Sequence, residues 1–390
     1  MARLIQIDGR GVILIDGVER PRYRQHQSAR TWSFWQRHKV GSRSVKQINT
    51  IGLDLAKNVF QVHGADAEGA PVFNRKLRRG EVLRFFEKLP PCLVGMEACG
   101  SAHYWAREIA ALGHDVRLIP PIYVKPFVKR GKTDAADAEA ISEAVTRKTM
   151  RFVPVKSADQ QAAAMVLKTR ALLVRQQTQA INALRGHLSE LGIIAAIGTA
   201  KVTELIEIVR DEENVCLPKA ARLALAEIAD QIEALTRQID KLERGIVGEV
   251  KGDEDMRRLI TIPGVGAITA ASVKALVPDP AGFKSGRHFA AWLGLTPKPH
   301  SSGGKERLGG ISKMGNPTLR SLLVCGATSV LRRVKGNEKA PRWLTGLLAR
   351  RPFKVVAIAL ANKTARIIWA LLTKGGTYRN TGVASGAASA

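Results

Sequence analysis

Residues 47–77 read QINTIGLDLAKNVFQVHGADAEGAPVFNRKL. QINTIGLDLA has the composition of a buried strand, NVFQVHGAD of a second and PVFNRKL of a third, with Gly64–Ala70 as the turn between the last two. Working outward, Glu81–Leu89 has the spacing of a short amphipathic helix, CLVGMEA (92–98) of a fourth strand, Ala102–Leu112 of a helix and DVRLIP (115–120) of a fifth strand. Gly131–Thr146 starts as a loop and continues as a helix. Three consecutive strands followed by alternating helix and strand predict a mixed α/β sheet.

Acids stand at telling places in this pattern. Asp54 lies inside an apolar strand, where an unpaired carboxylate costs several kcal/mol, roughly, unless it is partnered or bound to a metal. Glu97 ends the fourth strand in VGMEACG. Asp134 and Asp137, three apart in KTDAADAEA, share one face of a helix. Taken singly, the helix pair reads as a solvated face and Glu97 as a strand-end cap. Asp54 is the unusual member, because strand interiors disfavour Asp. Together the four can converge at one end of a sheet, where a hard cation such as Mg²⁺ relieves their mutual repulsion. Two such ions can activate the attacking oxygen and stabilise the leaving oxygen of a phosphodiester.

Beyond residue 150 the pattern turns helical. Leu225, Ile228, Ile232, Leu235, Ile239, Leu242 and Ile246 alternate spacings of three and four, a coiled-coil seam over about three heptads. Val174, Ile181 and Leu188 repeat every seven in the preceding helix, which can pair with the second one or with another subunit. IPGVG (262–266) sits between two helical segments and resembles the turn of a helix-hairpin-helix, in which Gly264 and Gly266 let backbone N–H groups approach a phosphate. Residues 281–330 read as a polar loop between apolar segments. In FAAWLGLTPKPHSSGGKERLGGISKMGNPTLRSLL (289–323), Ser301 and Ser302 precede two glycines and the basic pair Lys305 and Arg307. A serine so placed can attack a phosphodiester, although most such loops are solvated turns.

The formal net charge of +27 on 390 residues, with Lys and Arg spread along the chain, points to a nucleic-acid partner. The four cysteines form no CxxC pair and no His pair has zinc spacing, which disfavours a zinc site or a disulfide framework. The longest apolar run, Val355–Ala361, is shorter than a membrane span, and the N-terminus has no signal-peptide core, so a cytoplasmic protein without a membrane partner is expected. Residues 1–46 are basic and aperiodic. They read as a nucleic-acid-binding arm, a disordered extension or a start placed too far upstream. The small, polar residues 375–390 read as a disordered tail.

The segment from IGLDLAKNVFQVHGAD to KTDAADAEAI resembles the N-terminal domain of the DEDD transposases of the insertion-sequence-110 family. This implies an RNase H-like, RuvC-like fold over 47–150 with the family's acidic tetrad at Asp54, Glu97, Asp134 and Asp137. Lys132 and Thr133 match the family's basic lead-in to the last two acids. Residues from about Arg257 to Leu331 resemble the C-terminal transposase domain of the same family. Gly294, Leu295 and Pro297 match its GLxP segment, and Ser302, the serine just before glycine, matches the nucleophile; Ser301 is its neighbour. The implied organisation is a basic extension over 1–46, the catalytic domain over 47–150, a helical coiled-coil region over 151–252, a mostly α serine-containing domain over 253–374 and the tail.

The resemblance implies a transposase or recombinase that forms a phosphoserine link to DNA, assisted by Mg²⁺ (Mn²⁺ as the alternative) on the four acids. It also implies donor and target double-stranded DNA as substrates, a bridge RNA as guide, and a homodimer or homotetramer in which acids and serine meet between subunits. A RuvC-like structure-specific nuclease would need the acids alone. A Piv-like invertase would use the same parts, and an inert nucleic-acid-binding protein would need neither the acids nor the serine.

Overall fold

A computed structural model describes residues 47–129, 131, 133–213, 216–277, 279–334 and 340–379. The readings for residues 1–46, for Lys132 and for residues 380–390 lie outside them. The first half follows the expected order: β1 (Thr50–Asp54), β2 (Val59–Ala65), β3 (Pro71–Arg78), α1 (Val82–Glu87), β4 (Leu93–Glu97), α2 (Ala102–Ala111), β5 (Asp115–Ile119), the short α3 (Pro121–Val124) and α4 (Asp134–Val145). The strands form one sheet in the order β3-β2-β1-β4-β5. β1 pairs antiparallel with β2, and β2 with β3, whereas β1, β4 and β5 run parallel. This mixed sheet agrees with the RNase H-like expectation.

Alternation along the strands sorts the two faces. Ile51, Leu53, Phe60, Val62, Val94 and Met96 turn to one side and pack with Phe86, Trp105 and Ile109 of α1 and α2. The intervening residues, Gly52 and Asp54 on β1, Gln61 and His63 on β2, and Gly95 and Glu97 on β4, face the side that α4 covers.

The second half is helical. α5 (Ala158–Glu190) opens with a capping box: the Ser157 hydroxyl accepts from Gln160 N–H at 3.1 Å and the Gln160 carboxamide accepts from Ser157 N–H at 3.0 Å. After α6 (Thr199–Arg210), α7 (Lys219–Gly252) returns antiparallel to α5. Arg170 Nε donates to Glu243 Oε1 at 2.8 Å and Gln177 Nε2 to Thr236 Oγ1 at 2.7 Å, so the partner number falls as the α5 number rises. The apolar seam is therefore used within the chain: Leu225, Ile232, Leu235, Ile239 and Ile246 are buried, while Ile228 and Leu242 are half-buried.

α8 (Glu254–Ile260), α9 (Ala267–Leu276), α10 (Gly286–Trp292), α11 (Pro317–Val334), α12 (Arg342–Arg350) and α13 (Phe353–Lys374) share one core with the base of the α5–α7 pair. α13 is long and apolar enough to cross a membrane, which corrects the reading that stopped at Val355–Ala361. It runs through this core, with Val356, Ala357, Ala361, Ala365 and Ile368 fully covered. A second correction concerns residues 281–330. They hold α10, a two-stranded hairpin of β6 (Pro297–Pro299) and β7 (Leu308–Ile311), and the start of α11. The Gly303–Gly304 pair is the signal for that hairpin, and the prolines are tolerated because a two-stranded ribbon consists only of edges.

Candidate functional site

Asp54 and Glu97 end the neighbouring parallel strands β1 and β4 on the α4 side, and Asp134 and Asp137 lie in the first turn of α4. Thr133 caps that helix, its hydroxyl accepting from Ala136 N–H at 3.2 Å. Asp54 and Glu97 respond to the acids around them. Burial pushes the Asp54 carboxyl up to about 6, helped by the charges of Asp137, Asp134 and Glu97, against a lowering hydrogen bond from the Leu55 backbone. Burial, then Asp137, also raises Glu97.

Two glycines make this convergence geometrically feasible. Gly52 and Gly95 stand two residues before Asp54 and Glu97, on the same face of their strands. A Cβ on Gly52 would lie 2.0 Å from Ala138 O and 2.5 Å from Ser142 N, and one on Gly95 would lie 2.8 Å from Val145 Cβ. α4 thus rests directly on bare backbone, which brings its first turn down to the level of the strand-end acids. The sequence reading did not single out these glycines, although the repeated Gly-x-acid pattern in IGLD and VGME was its visible sign.

Ser302 occupies the tip of the β6–β7 hairpin and is exposed. Gly303 and Gly304, at φ 57° and 76°, form the two-residue turn, and Lys305 N–H closes it on Ser302 O at 3.1 Å. Ser301 is engaged differently: its hydroxyl accepts from Arg307 N–H at 3.3 Å. The hairpin base is anchored from two helices. Arg320 of α11 donates through Nη1 to Leu293 O at 3.0 Å and Met314 O at 2.9 Å, and Asn362 of α13 donates to Leu295 O at 3.2 Å. Lys305 and Arg307 are exposed beside the serine. Gly264 lies in the α8–α9 turn against Gly326 of α11, where a Cβ would come within 2.8 Å of Gly326 O, so close packing already requires a glycine there. Gly266 is the N-cap of α9 and faces open space. The serine hairpin and the elements carrying the acids make no substantial contact among the described residues.

This pairing of parts has relatives. Residues 51–193 match a family model described as DEDD transposase of the IS110 type, and residues 256–342 match the transposase IS116/IS110/IS902 family. A protein of Pseudomonas aeruginosa described as a "probable family 20 transposase" is 52% identical over 334 residues, 85% of this chain and 99% of its own length. The chain belongs to the IS110 family of transposases. The transposase for insertion sequence element IS1111A of Coxiella burnetii is 41% identical over 86% of this chain and 93% of its own. That for IS1328 of Yersinia enterocolitica is 40% identical over 85% and 98%.

The transposase is therefore a DNA-acting enzyme, and the DEDD match implies a divalent metal ion. The acids fit such an ion chemically: all are oxygen donors, and the pKa values of Asp54 and Glu97 are raised by burial and then by their acidic neighbours. Among the described residues no three of them stand in ligating geometry.

Arg320 is a further residue that the sequence reading missed, because its two carbonyl acceptors become neighbours only when α11 packs. Arg320→Ala is expected to lower unfolding free energy by roughly 1.5–3 kcal/mol, since both hydrogen bonds involve a charged donor. Urea denaturation reads the loss, and faster tryptic cleavage after Arg307 and Lys313 locates it at the hairpin.

Proposed function

We propose that the transposase cuts and rejoins DNA through the Ser302 hydroxyl, with Asp54, Glu97, Asp134 and Asp137 holding Mg²⁺, or Mn²⁺ as the alternative. The observation that carries the reading is the gathering of four carboxylates at one end of the sheet, where burial and then the charges of Asp137, Asp134 and Glu97 raise Asp54 to about 6. The ion would supply positive charge to the phosphate oxygens as charge builds there. The Ser302 oxygen forms a bond to phosphorus as the bond to the leaving deoxyribose oxygen breaks, the serine proton passing to that oxygen, so the phosphodiester count is conserved in a phosphoserine link. In rejoining, a free DNA hydroxyl of the new partner strand attacks that phosphorus, and the serine oxygen leaves and takes back a proton. Lys305 and Arg307 flank the phosphate on the hairpin, while Lys132 and the α8–α9 turn at Gly264 and Gly266 contact backbone phosphates elsewhere.

The separation of acids and serine within one chain supports a composite site built from two subunits. We assign the α5–α7 pair, as a coiled coil over residues 151–252, the role of organising a homodimer or homotetramer between the domains at 47–150 and 253–374. A net charge of +27 suits a bridge RNA together with donor and target duplexes. The protein then acts on the bacterial chromosome in the cytoplasm, as a mobile element's own recombinase.

The test is covalent trapping. Purified protein, a transcript of the element's flanks, Mg²⁺ and labelled donor and target DNA are resolved on a denaturing gel. A protein–DNA adduct that disappears in Ser302→Ala is expected. Cutting without an adduct, unchanged by Ser302→Ala, would leave a RuvC-like nuclease. An adduct that yields only inversion between two sites in one molecule would favour a Piv-like invertase.

A further inference from the structure

The register of the sheet places one row of residues across three strands. Asp54 on β1 pairs with Gln61 on β2, and Gln61 pairs with Lys76 on β3. Directly opposed residues point to the same face, so Lys76 shares the face of the acids, as does Arg78, which opposes Val59. β3 is the edge strand, and α4, which covers β1, β2 and β4, makes no substantial contact with it. The outer rim of the catalytic face is therefore open.

The basic residues of β3 and of the turn after it divide in their surroundings. Arg75, and Arg79 just past the strand, sit over aromatic rings, Phe85 at 5.3 Å and Trp105 at 5.1 Å. Lys76 and Arg78 are exposed, and no ion pair holds either side chain among the described residues. The nearby Glu81 carboxylate accepts from the Arg78 backbone N–H at 2.7 Å. Between this rim and Asp54 lies Gln61, 5% exposed, tied at one end of its carboxamide to Asn74 and without a partner at Oε1. The path from the acids to the rim is thus polar throughout, and cationic where it reaches solvent.

We propose that Lys76 and Arg78 form a phosphate track for the DNA strand whose scissile phosphate lies at the acids. The inference rests on the reading of those acids as the DNA-cutting site. Two strand spacings separate β1 from β3, about 10 Å. A nucleic-acid strand carries one phosphate per ~3.4 Å of axis, so the track meets the backbone about three nucleotides from the cut. A cationic rim on the catalytic face fixes the direction in which the strand leaves the site, which the symmetric charge of the acids cannot do.

The test measures binding as well as cutting. Lys76→Ala/Arg78→Ala is titrated with donor DNA by fluorescence anisotropy over a range of salt. The slope of log affinity against log salt is expected to fall by about two, with binding about ten- to thirty-fold weaker near 0.15 M. Arg84→Ala/Lys88→Ala, an equal loss of charge on α1 and its C-cap, is the control and should leave the slope near that of wild type. Single methylphosphonates are then walked outward from the cut. Wild type should lose affinity at a phosphate about three nucleotides away, and the double variant should not. An unchanged slope, the same walk profile in both proteins, equal slope changes in the control, or a loss for RNA with DNA binding intact would each overturn the track. Asp54→Asn, assayed beside them for cutting, answers separately whether the acids are the cutting site.

Discussion

Gly52→Ala is expected to destabilise the folded transposase by about 3 kcal/mol or more and to reduce DNA cutting at least a hundred-fold. In most strands this exchange would be mildly stabilising, by roughly 0.5–1 kcal/mol, because alanine loses less backbone freedom on folding. Here the added methyl would fall 2.0 Å from Ala138 O and 2.5 Å from Ser142 N. Both are backbone atoms of α4, so no side chain can rotate away; the helix must lift from the sheet. Its first turn carries Asp134 and Asp137, and lifting it separates them from Asp54 and Glu97. Gly80→Ala is the control, since a methyl there meets nothing within 4 Å. Urea unfolding and a cutting assay, run on both variants, check the result. A Gly52→Ala protein of wild-type stability and activity would show that α4 does not rest on β1 as described.

Asp54→Asn should separate activity from stability. Cutting is expected to fall roughly a thousand-fold, because a neutral carboxamide can neither complete the acidic set nor hold a cation there. Stability without metal should move the other way. Asp54 is raised from 3.8 to about 6, so the folded state holds this proton more tightly than the unfolded chain does. Its contribution to stability is complete below about pH 4 and is lost as pH rises through about 6. At pH 8 the wild-type protein therefore carries the cost of a buried Asp54 charge beside three other acids, and Asp54→Asn relieves it by on the order of 1 kcal/mol once solvent screening is allowed for. Scanning calorimetry in EDTA should show a higher unfolding temperature for the variant at pH 8 and little difference at pH 4. Added Mg²⁺ should raise the wild-type temperature at pH 8 and leave the variant nearly unmoved. A variant less stable than wild type at pH 8 would mean that Asp54 makes a favourable contact outweighing that cost.

The N-terminal half was largely legible because its information is local. Alternation in TIGLD, VFQVHGA and LVGME states which residues turn inward, and the polar exceptions Asp54 and Glu97 then stand out against it. The heptad seam of α7 was equally plain, since its period is written in seven apolar residues. The β6–β7 hairpin was not read, because PKP and LGGI lack the alternating apolar pattern of a half-buried strand. Its stability comes from a glycine turn at one end and from Arg320 and Asn362 at the other, and those anchors lie far along the chain.

By itself, the sequence determined the strand order along the chain, the four acids, the serine beside its glycines and the seam of the long helices. Each follows from residue type and spacing over a few turns or strands. Tertiary structure alone decided that the seam is used by α5 and α7 of one chain, that α4 lies on bare glycine backbone, and that Lys76 and Arg78 share the sheet face of the acids while Arg75 and Arg79 sit over aromatic rings. The physical reason is common to all three. An apolar stripe, a missing side chain or a free cation specifies what kind of partner it accepts, but which partner arrives depends on strand register and helix packing between residues distant in the chain.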